Sequence, residues 1–204
     1  MTEKSFESEL RTCYYNNDME GFRQALASGA DSNYRESDDL YAPTLLCQAV
    51  SDGNESAVRL LLSYGAEHID RKNRVTAPLL AVFHSNYDIL DLFFATIALK
   101  DLDITVETSS TLVLQAVTRR NFEMVRYLIE RECNINARNE DSEGYTPLDY
   151  AVRNDDLEMV RYLLEKGADP SQRGLSNYTA FESAQWTGIQ HKAEILALLS
   201  KYQS

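Results

Sequence analysis

The chain carries few of the residue types that perform acid–base or metal chemistry, and it spaces them widely. Its histidines are His68, His84 and His191, and no two of them have the HxxxH or HExxH spacing of a zinc site. The sequence has no GxSxG or GxxxxGKS/T motif, so it predicts neither a serine nucleophile nor a phosphate-binding loop. We expect no catalytic residue, no metal and no cofactor.

Acidic clusters remain as candidates for acid–base work, such as those at residues 140–141 and 155–156. Both fall between apolar helical segments, where turns are expected. A catalytic carboxylate needs a buried and positioned environment to shift its pKa, which a solvated turn seldom provides. A metabolic or redox enzyme is therefore the least favoured interpretation, and the sequence predicts that the protein is not an enzyme.

The three cysteines, Cys13, Cys47 and Cys133, lie far apart and form no CxxC motif. An odd number without pairing spacing argues against a disulfide framework and against structural zinc. Because all three lie among apolar neighbours, we expect packed, unreactive thiols.

The chain is acidic, with 32 acidic and 20 basic residues and a formal net charge of −12. Such a surface repels phosphate backbones and disfavours nucleic acid as a partner. It would steer a basic protein into contact, although acidity can also serve solubility alone. No apolar run approaches the roughly 18 residues that span a bilayer, and residues 1–7 lack the features of a signal peptide. We expect a soluble, cytoplasmic protein that does not bind membranes.

Any functional residues must be positioned by an amphipathic segment that recurs along the chain. Residues 122–130 (FEMVRYLIE) and 157–165 (LEMVRYLLE) are nearly the same and lie 35 residues apart. The apolar side chains of the second copy, such as Val160 and Leu163, fall on one helical face and are predicted to form core. Weaker copies lie at residues 19–26, 55–62, 87–94 and 193–199.

A shorter helix is predicted before each amphipathic one. Its clearest form begins at Thr146-Pro147-Leu148, where threonine caps the helix and proline fits the first turn. Related segments begin at residues 44, 76, 111 and 179. A small residue in this helix gives the phase of the repeat, at intervals of 32 to 36 residues. These phase residues are Cys13, Ala49, Ala81, Ala116, Ala151 and Ala184.

The Thr146-Pro147-Leu148 start, the helix stop at residues 167–169 (GAD) and the link at residues 135–137 (INA) resemble the ankyrin repeat family. Its unit of about 33 residues is a β-turn followed by two antiparallel helices. The resemblance covers residues 5–202 and implies an all-α ankyrin-repeat solenoid of about six repeats with a concave binding face. It predicts one domain, 1–204, with approximate repeats 5–37, 38–73, 74–108, 109–142, 143–176 and 177–204.

Some positions depart from the family pattern. The first repeat has Ser8 where threonine is usual and Cys13 where alanine is usual, as in a capping repeat. The third has its proline one place late, at Pro78, and a longer link at residues 97–105. The sixth carries about two extra residues near Gln190.

The resemblance implies that a partner docks on the turn tips and on the exposed ends of the first helices. Exposed aromatic residues beside arginines are typical of interface hot spots. The alternative for Phe83 and Trp186 is that they fold inward and fill irregular repeats. The predicted partner-binding residues are Tyr15, Asn16, Ser51, Asp52, Phe83, His84, Thr118, Arg119, Arg153, Asn154 and Trp186, with Thr187 beside Trp186 and Tyr41, Arg74 and Tyr145 at the tips.

The sequence therefore favours a non-catalytic module that binds another protein, as an adaptor does. The alternative is a dedicated acidic inhibitor or immunity protein that neutralises a basic toxin or enzyme. Strong negative charge motivates this alternative, because favourable steering can bring association to ~10⁸ M⁻¹s⁻¹. A monomer is favoured, and the alternative is that a second copy of the chain occupies the exposed groove.

Overall fold

The computed structural model describes residues 3–35, 42–73, 75–102, 110–138, 144–174, 177–186 and 188–202. The chain divides into two compact units, which we call unit 1 (Met1–Ala98) and unit 2 (Leu99–Ser204). The single-domain assignment and the repeat boundaries stay predictions.

Unit 1 is built from pairs of helices joined by short turns. The α3 helix packs against α5, and α4 packs against both α2 and α6. A short antiparallel hairpin precedes α5, with Ile69 opposite Thr76 and Asp70 opposite Val75. The elements are α1 (Glu3–Tyr15), α2 (Met19–Ala27), α3 (Leu45–Ser51), α4 (Glu55–Ser63), β1 (Ile69–Asp70), β2 (Val75–Thr76), α5 (Ala77–Phe83) and α6 (Tyr87–Thr96).

Unit 2 has the same paired organisation. The first helix of its second pair, α10, packs against α8 and α12, and α11 packs against α13. A four-residue helix, α7, lies in the link that the sequence analysis left without structure, and its Leu102 is buried. The elements are α7 (Leu99–Leu102), α8 (Leu112–Thr118), α9 (Phe122–Glu130), α10 (Pro147–Arg153), α11 (Leu157–Glu165), α12 (Ala180–Ala184) and α13 (Lys192–Tyr202).

Threonine caps the first helix of most pairs, as the sequence predicts. Each of these side chains accepts a hydrogen bond from the backbone N–H three residues later, a contact worth about 1 kcal/mol. The capping residues are Thr44, Thr76, Thr111, Thr146 and Thr179. The first pair differs, because α1 already begins at Glu3 and runs through Ser8. Ser8 is therefore inside a helix and does not take the place of the capping threonine.

The turns within the helix pairs share one backbone feature. In the pairs from α1–α2 to α10–α11, three residues separate the helices, and the middle one has a positive φ, which reverses the chain in little space. The next residue caps the second helix, as Asp156 caps α11. The left-handed residues, including one between α12 and α13, are Asn17, Gly53, Ser85, Arg120, Asp155 and Gly188, with φ between 54° and 97°.

The core follows the predicted phase. The five phase alanines are at most 1% exposed, and the amphipathic helices bury residues such as Val160 and Leu163. Cys47 and Cys133 are buried, and burial raises the pKa of the Cys47 thiol to about 11. Cys13, however, is only partly buried. Burial raises the pKa of its thiol, and the carboxylates of Asp18 and Glu9 raise it further.

Within the described residues, no helix is long and apolar enough to cross a membrane.

Candidate functional site

The first helices end in side chains that turn away from the core. We call these positions the helix-end row. In α3 and α5, Val50 and Val82 are buried, whereas the two residues that follow each valine are exposed. The row comprises Tyr15, Asn16, Ser51, Asp52, Phe83 and His84 in unit 1 and Thr118, Arg119, Arg153, Asn154 and Trp186 in unit 2.

The row of unit 1 exposes two large aromatic side chains. Tyr15 is 55% exposed and Phe83 is 43% exposed. Each ring makes an edge contact with a neighbour, Tyr15 with Tyr14 at 5.4 Å and Phe83 with His84 at 5.1 Å between ring centroids. Phe83 thus lies at the surface and does not fill the core of an irregular repeat.

Asp52, in the same row, is held by the protein itself. The hydroxyl of buried Tyr14 donates to its Oδ2 at 2.5 Å, and Gln48 Nε2 donates to its Oδ1 at 2.8 Å. Burial raises the pKa of Tyr14, and its hydrogen bond to Asp52 raises it further. Tyr14 was not predicted as part of the site, because the repeat phase points to its exposed neighbour Tyr15. Asp52 therefore stabilises contacts within the protein in addition to lying at the surface.

The row of unit 2 is basic. Arg119, Arg153 and Trp186 are exposed, whereas Thr118 and Asn154 are half-buried. The Thr118 hydroxyl donates to the Gln115 carbonyl at 2.8 Å. The exposed side chains of this row are therefore two arginines and one tryptophan.

Arg153 lies between two aromatic rings. Its Cζ is 4.4 Å from the centroid of Tyr145 and 4.5 Å from that of Trp186, well within the range of cation–π attraction. Two further rings support these, since Tyr178 meets Trp186 edge-on at 5.5 Å and Tyr150 meets Tyr145 at 6.3 Å. We call these five residues the Arg153 cluster.

Three of these residues, Tyr145, Arg153 and Trp186, were predicted from the sequence and lie together in the structure, whereas Tyr150 and Tyr178 were not predicted. Tyr150 had a signal, because it precedes Arg153 by three positions on a helix and so shares its face. Tyr178 also had a signal, because it directly precedes the capping threonine of its first helix, as Tyr145 does, and lies one repeat after Tyr145.

A buried carboxylate helps to form the helix that carries Arg153. Asp149 and Thr146 form a reciprocal capping box at the start of α10, and Asp149 is 2% exposed. Burial raises the pKa of Asp149 above its ordinary value, although hydrogen bonds with Thr146 and the charge of Arg153 act against this. Its Oδ2 accepts from the Thr146 N–H, but its buried Oδ1 has no hydrogen-bond partner.

At the turn tips of unit 1, an ion pair joins residues one repeat apart. The Arg35 guanidinium contacts both carboxylate oxygens of Asp70, which is 1% exposed. Asn73 donates to Asp70 from its backbone at 3.0 Å and from its side chain at 2.9 Å. Burial alone would raise the pKa of Asp70, but the bonds from Arg35 and Asn73 outweigh burial and hold it below its ordinary value.

A second tip contact occurs in both units. The Asn33 side chain accepts from the Glu67 N–H at 2.7 Å, and the Asn136 side chain accepts from the Asp169 N–H at 2.9 Å. In each case, an asparagine of one repeat fixes the backbone of the next. The predicted partner-binding residues Tyr41, Arg74 and Thr187 lie outside the described residues.

The acidic pair at 155–156 has a structural role. Asp155 accepts from the backbone N–H groups of Gln190 and His191 at 3.1 and 2.9 Å, and from His191 Nδ1 at 3.1 Å. Burial acts to raise the pKa of Asp155, but these bonds outweigh it and lower the pKa. Residues 140–141 lie outside the described part of the chain. Among the described residues, no group of three or more histidine, cysteine or acidic side chains could hold a metal ion.

Residues 94–174 match the sequence model of the ankyrin repeats, described as three copies. No curated protein matches the chain. A crystal structure of the ankyrin repeat domain of Bcl-3, called a unique member of the IkappaB protein family, is 25% identical with a TM-score of 0.77. The match covers 96% of this chain and 86% of that one.

Two other solved structures are similar. An ankyrin repeat domain from Acinetobacter baumannii AYE is 25% identical with a TM-score of 0.74, and the match covers 95% of this chain and 96% of that one. The human ASB11 ankyrin repeat domain is 20% identical with a TM-score of 0.66, covering 91% and 78%. The ASB11 likeness concerns the fold alone.

Proposed function

Because this chain belongs to the ankyrin repeat family, we propose that it binds a partner protein through the helix-end row and the turn tips. Ankyrin repeat domains are generally protein–protein interaction modules and are typically non-catalytic. The all-α ankyrin-repeat fold predicted from the sequence is confirmed. Fold alone does not determine function, so the proposal depends on what the surface presents.

The observation that carries the proposal is the position of the exposed aromatic residues. Five large apolar side chains of the described residues are exposed. Tyr15, Phe83 and Trp186 belong to the row, and Tyr178 contacts Trp186. Large aromatic side chains are costly to leave in water and are enriched at the centres of interfaces. Their recurrence at one phase of the repeat supports a binding surface over scattered exposure.

A second candidate function, dedicated inhibition of a basic toxin or enzyme, is favoured by the net charge of −12. Electrostatic steering raises the association rate and makes it depend on salt. An inhibitor should therefore bind one basic protein at nanomolar strength, with an association rate that falls steeply as salt rises. An adaptor should bind several proteins at micromolar strength with little dependence on salt.

The experiment is affinity capture from the source cells with the full chain immobilised at low and moderate salt. A Phe83→Ala/Trp186→Ala double variant tests the row. The matched control is Tyr64→Ala, because Tyr64 is 41% exposed but lies at the end of α4, outside the row. We expect the double variant to lose the partner and the control to keep it. Equal capture of the partner by the wild type, the double variant and the Tyr64→Ala control would contradict the proposal.

The salt series separates the two candidates. One dominant basic protein that is released as salt rises would favour the inhibitor. Several proteins that resist salt would favour the adaptor, and the acidic surface would then serve solubility. Turnover of a substrate by the purified chain, with loss of that activity in a point variant, would contradict both binding functions.

A further inference from the structure

We propose that the Arg153 cluster recognises an acidic side chain of the partner. A glutamate or aspartate within an extended segment would bind the Arg153 guanidinium, and its apolar neighbours would pack on Trp186 and Tyr178. This inference rests on the proposed function and names the chemistry that unit 2 selects.

The first argument is that Arg153 is exposed and keeps its hydrogen-bond donors. It makes no hydrogen bond or ion pair with another described residue; it contacts the two rings, and its charge also acts on the Asp149 carboxyl. A ring attracts the positive charge but offers no oxygen to the five N–H donors of a guanidinium. A carboxylate fits this need, because it accepts two parallel bonds from arginine.

Three other arginines of unit 2 show the contrast, because the fold already uses their donors. Arg120 donates to the Asn154 carbonyl at 2.7 Å, and Arg138 donates to the Arg173 carbonyl at 3.2 Å. Arg173 itself pairs with Glu182 at 3.0 Å. Arg153 thus differs from these neighbours in having rings in place of oxygen partners.

The nearest acidic residue on the same helix interacts with Arg153 through its charge but forms no hydrogen bond or ion pair with it. Asp149 lies four positions earlier on α10, a spacing that often forms an ion pair. Its Oδ2 is engaged by the Thr146 N–H at 3.2 Å, and its Oδ1 has no hydrogen-bond partner. Asp149 therefore serves the helix start, and the guanidinium remains available to a carboxylate from outside.

The rings also prepare Arg153 for binding. An arginine that moves freely loses rotamer entropy when it binds, and this loss weakens binding. Tyr145 and Trp186 already hold this guanidinium in place, and Tyr150 and Tyr178 support those rings. The apolar rings beside the charge would also shield a bound ion pair partly from water, which strengthens it.

The local charge at the cluster explains how a protein with a negative net charge can bind an acidic segment of a partner. The described row of unit 2 contains Arg119 and Arg153 and no acidic residue. Charges are screened beyond about 8 Å at physiological ionic strength. The net charge therefore affects the approach of a partner, whereas contacts at the cluster are decided by the residues that touch.

The test selects random dodecapeptides, displayed within a loop so that they have no free C-terminus, against the full chain. Trp186 is the only tryptophan, so its fluorescence reports binding at the cluster directly. We expect the selected peptides to share one glutamate or aspartate beside apolar residues and to change the Trp186 emission. Replacing that acid by its amide should weaken binding about tenfold to hundredfold.

Variants of the chain complete a double-mutant cycle. Arg153→Gln should weaken the acidic peptides about as much as the acid-to-amide change does, with little further loss when both are combined. Arg153→Lys should restore little, because lysine lacks the planar fork. Arg161→Gln, which changes an exposed arginine on α11 outside the cluster, is the matched control and should bind normally. Thermal midpoints should be unchanged throughout, as for exposed surface residues.

The outcomes distinguish this inference from the proposed function. Peptides that lack a shared acid, need a free C-terminus or bind Arg153→Gln equally well would overturn the inference. The proposed function would survive if their binding still depended on the helix-end row. Failure to select any peptide would overturn the inference, and loss of row dependence in the cellular capture would overturn the proposed function.

Discussion

The helix-end rows of the two units stand at the same phase of the repeat but differ in how the charged residues Asp52 and Arg153 are held. In unit 1, Asp52 accepts hydrogen bonds from Tyr14 and Gln48. In unit 2, Arg153 lies between the rings of Tyr145 and Trp186, which take none of its donors. A charged surface residue can offer all its hydrogen-bonding groups to a partner only where other residues of the protein do not already bond to them.

The buried carboxylates show the same difference. In unit 1, Asp70 is buried with Arg35 and Asn73 around it, and its pKa is lowered. In unit 2, Asp149 is buried with only a capping box to support it, and its pKa is raised. Burial costs free energy in both cases, but only Asp70 has a charged partner in direct contact that offsets this cost. The two units should therefore respond differently to losing their buried charge.

The largest expected effect tests what the units share. Leu61 on α4 and Leu163 on α11 occupy the same position relative to their helix caps, and both are 0% exposed. Replacing either by alanine opens a cavity, so we expect each variant to lose about 2–5 kcal/mol of unfolding free energy. Urea denaturation measures the loss. A loss below about 1 kcal/mol in one unit would show that its core relaxes around the cavity and is built differently.

The next effect is specific to unit 1. Asp70→Asn leaves Arg35 beside a neutral side chain, and removing one member of a buried pair costs about 3–5 kcal/mol in fully buried cases. Arg35 is partly exposed, with 22% of its side chain accessible, so we expect about 2–3 kcal/mol at neutral pH. Urea denaturation at pH 7 measures this difference.

The pH dependence gives the Asp70 prediction a second test. The folded pKa of Asp70 is lowered, so its contribution is present above the unfolded pKa of about 3.9. It is lost as pH falls through the folded pKa, because the protonated carboxyl no longer pairs with Arg35. The difference between wild type and Asp70→Asn should therefore shrink in acid. A difference that stays constant would mean that shape, and not charge, explains the loss.

A smaller effect concerns binding through the row. Phe83→Ala should change the thermal midpoint little, because Phe83 is 43% exposed. It should weaken partner binding by about 2 kcal/mol, or roughly thirtyfold. Isothermal titration with the captured partner measures the change, and Tyr64→Ala is the control. A large loss of stability would show that Phe83 supports the fold of unit 1 as well as its surface.

The periodic parts of this structure were predictable from the sequence. The capping threonines, the phase alanines and the amphipathic helices follow from spacing alone, because each repeat solves the same packing problem in the same way. Most row positions are exposed, because they follow the buried small and apolar residues of each first helix, whereas Thr118 and Asn154 are half-buried.

The contacts of individual side chains were not predictable. Spacing predicts that Asp52 and Arg153 point outward. It does not predict that Tyr14 donates a hydrogen bond to Asp52 or that Arg153 contacts two aromatic rings. Asp70 and Arg35 lie 35 residues apart, so their pairing depends on the stacking of neighbouring repeats. The prediction for Ser8 was wrong because α1 begins earlier than the other first helices, and helix length is not set by the repeat phase.

The smallest effect is the counterpart of Asp70 in unit 2. Burial raises the folded pKa of Asp149, so its ionisation opposes folding once pH exceeds the unfolded pKa of about 3.9. Asp149→Asn removes the charge and keeps an oxygen to accept from Thr146, so stability at pH 7 should change by less than about 1 kcal/mol and need not fall. Any advantage of the variant should vanish at about pH 3.5, where the wild-type carboxyl is protonated. A loss at pH 7 as large as that of Asp70→Asn would show that the two units support their buried carboxylates equally.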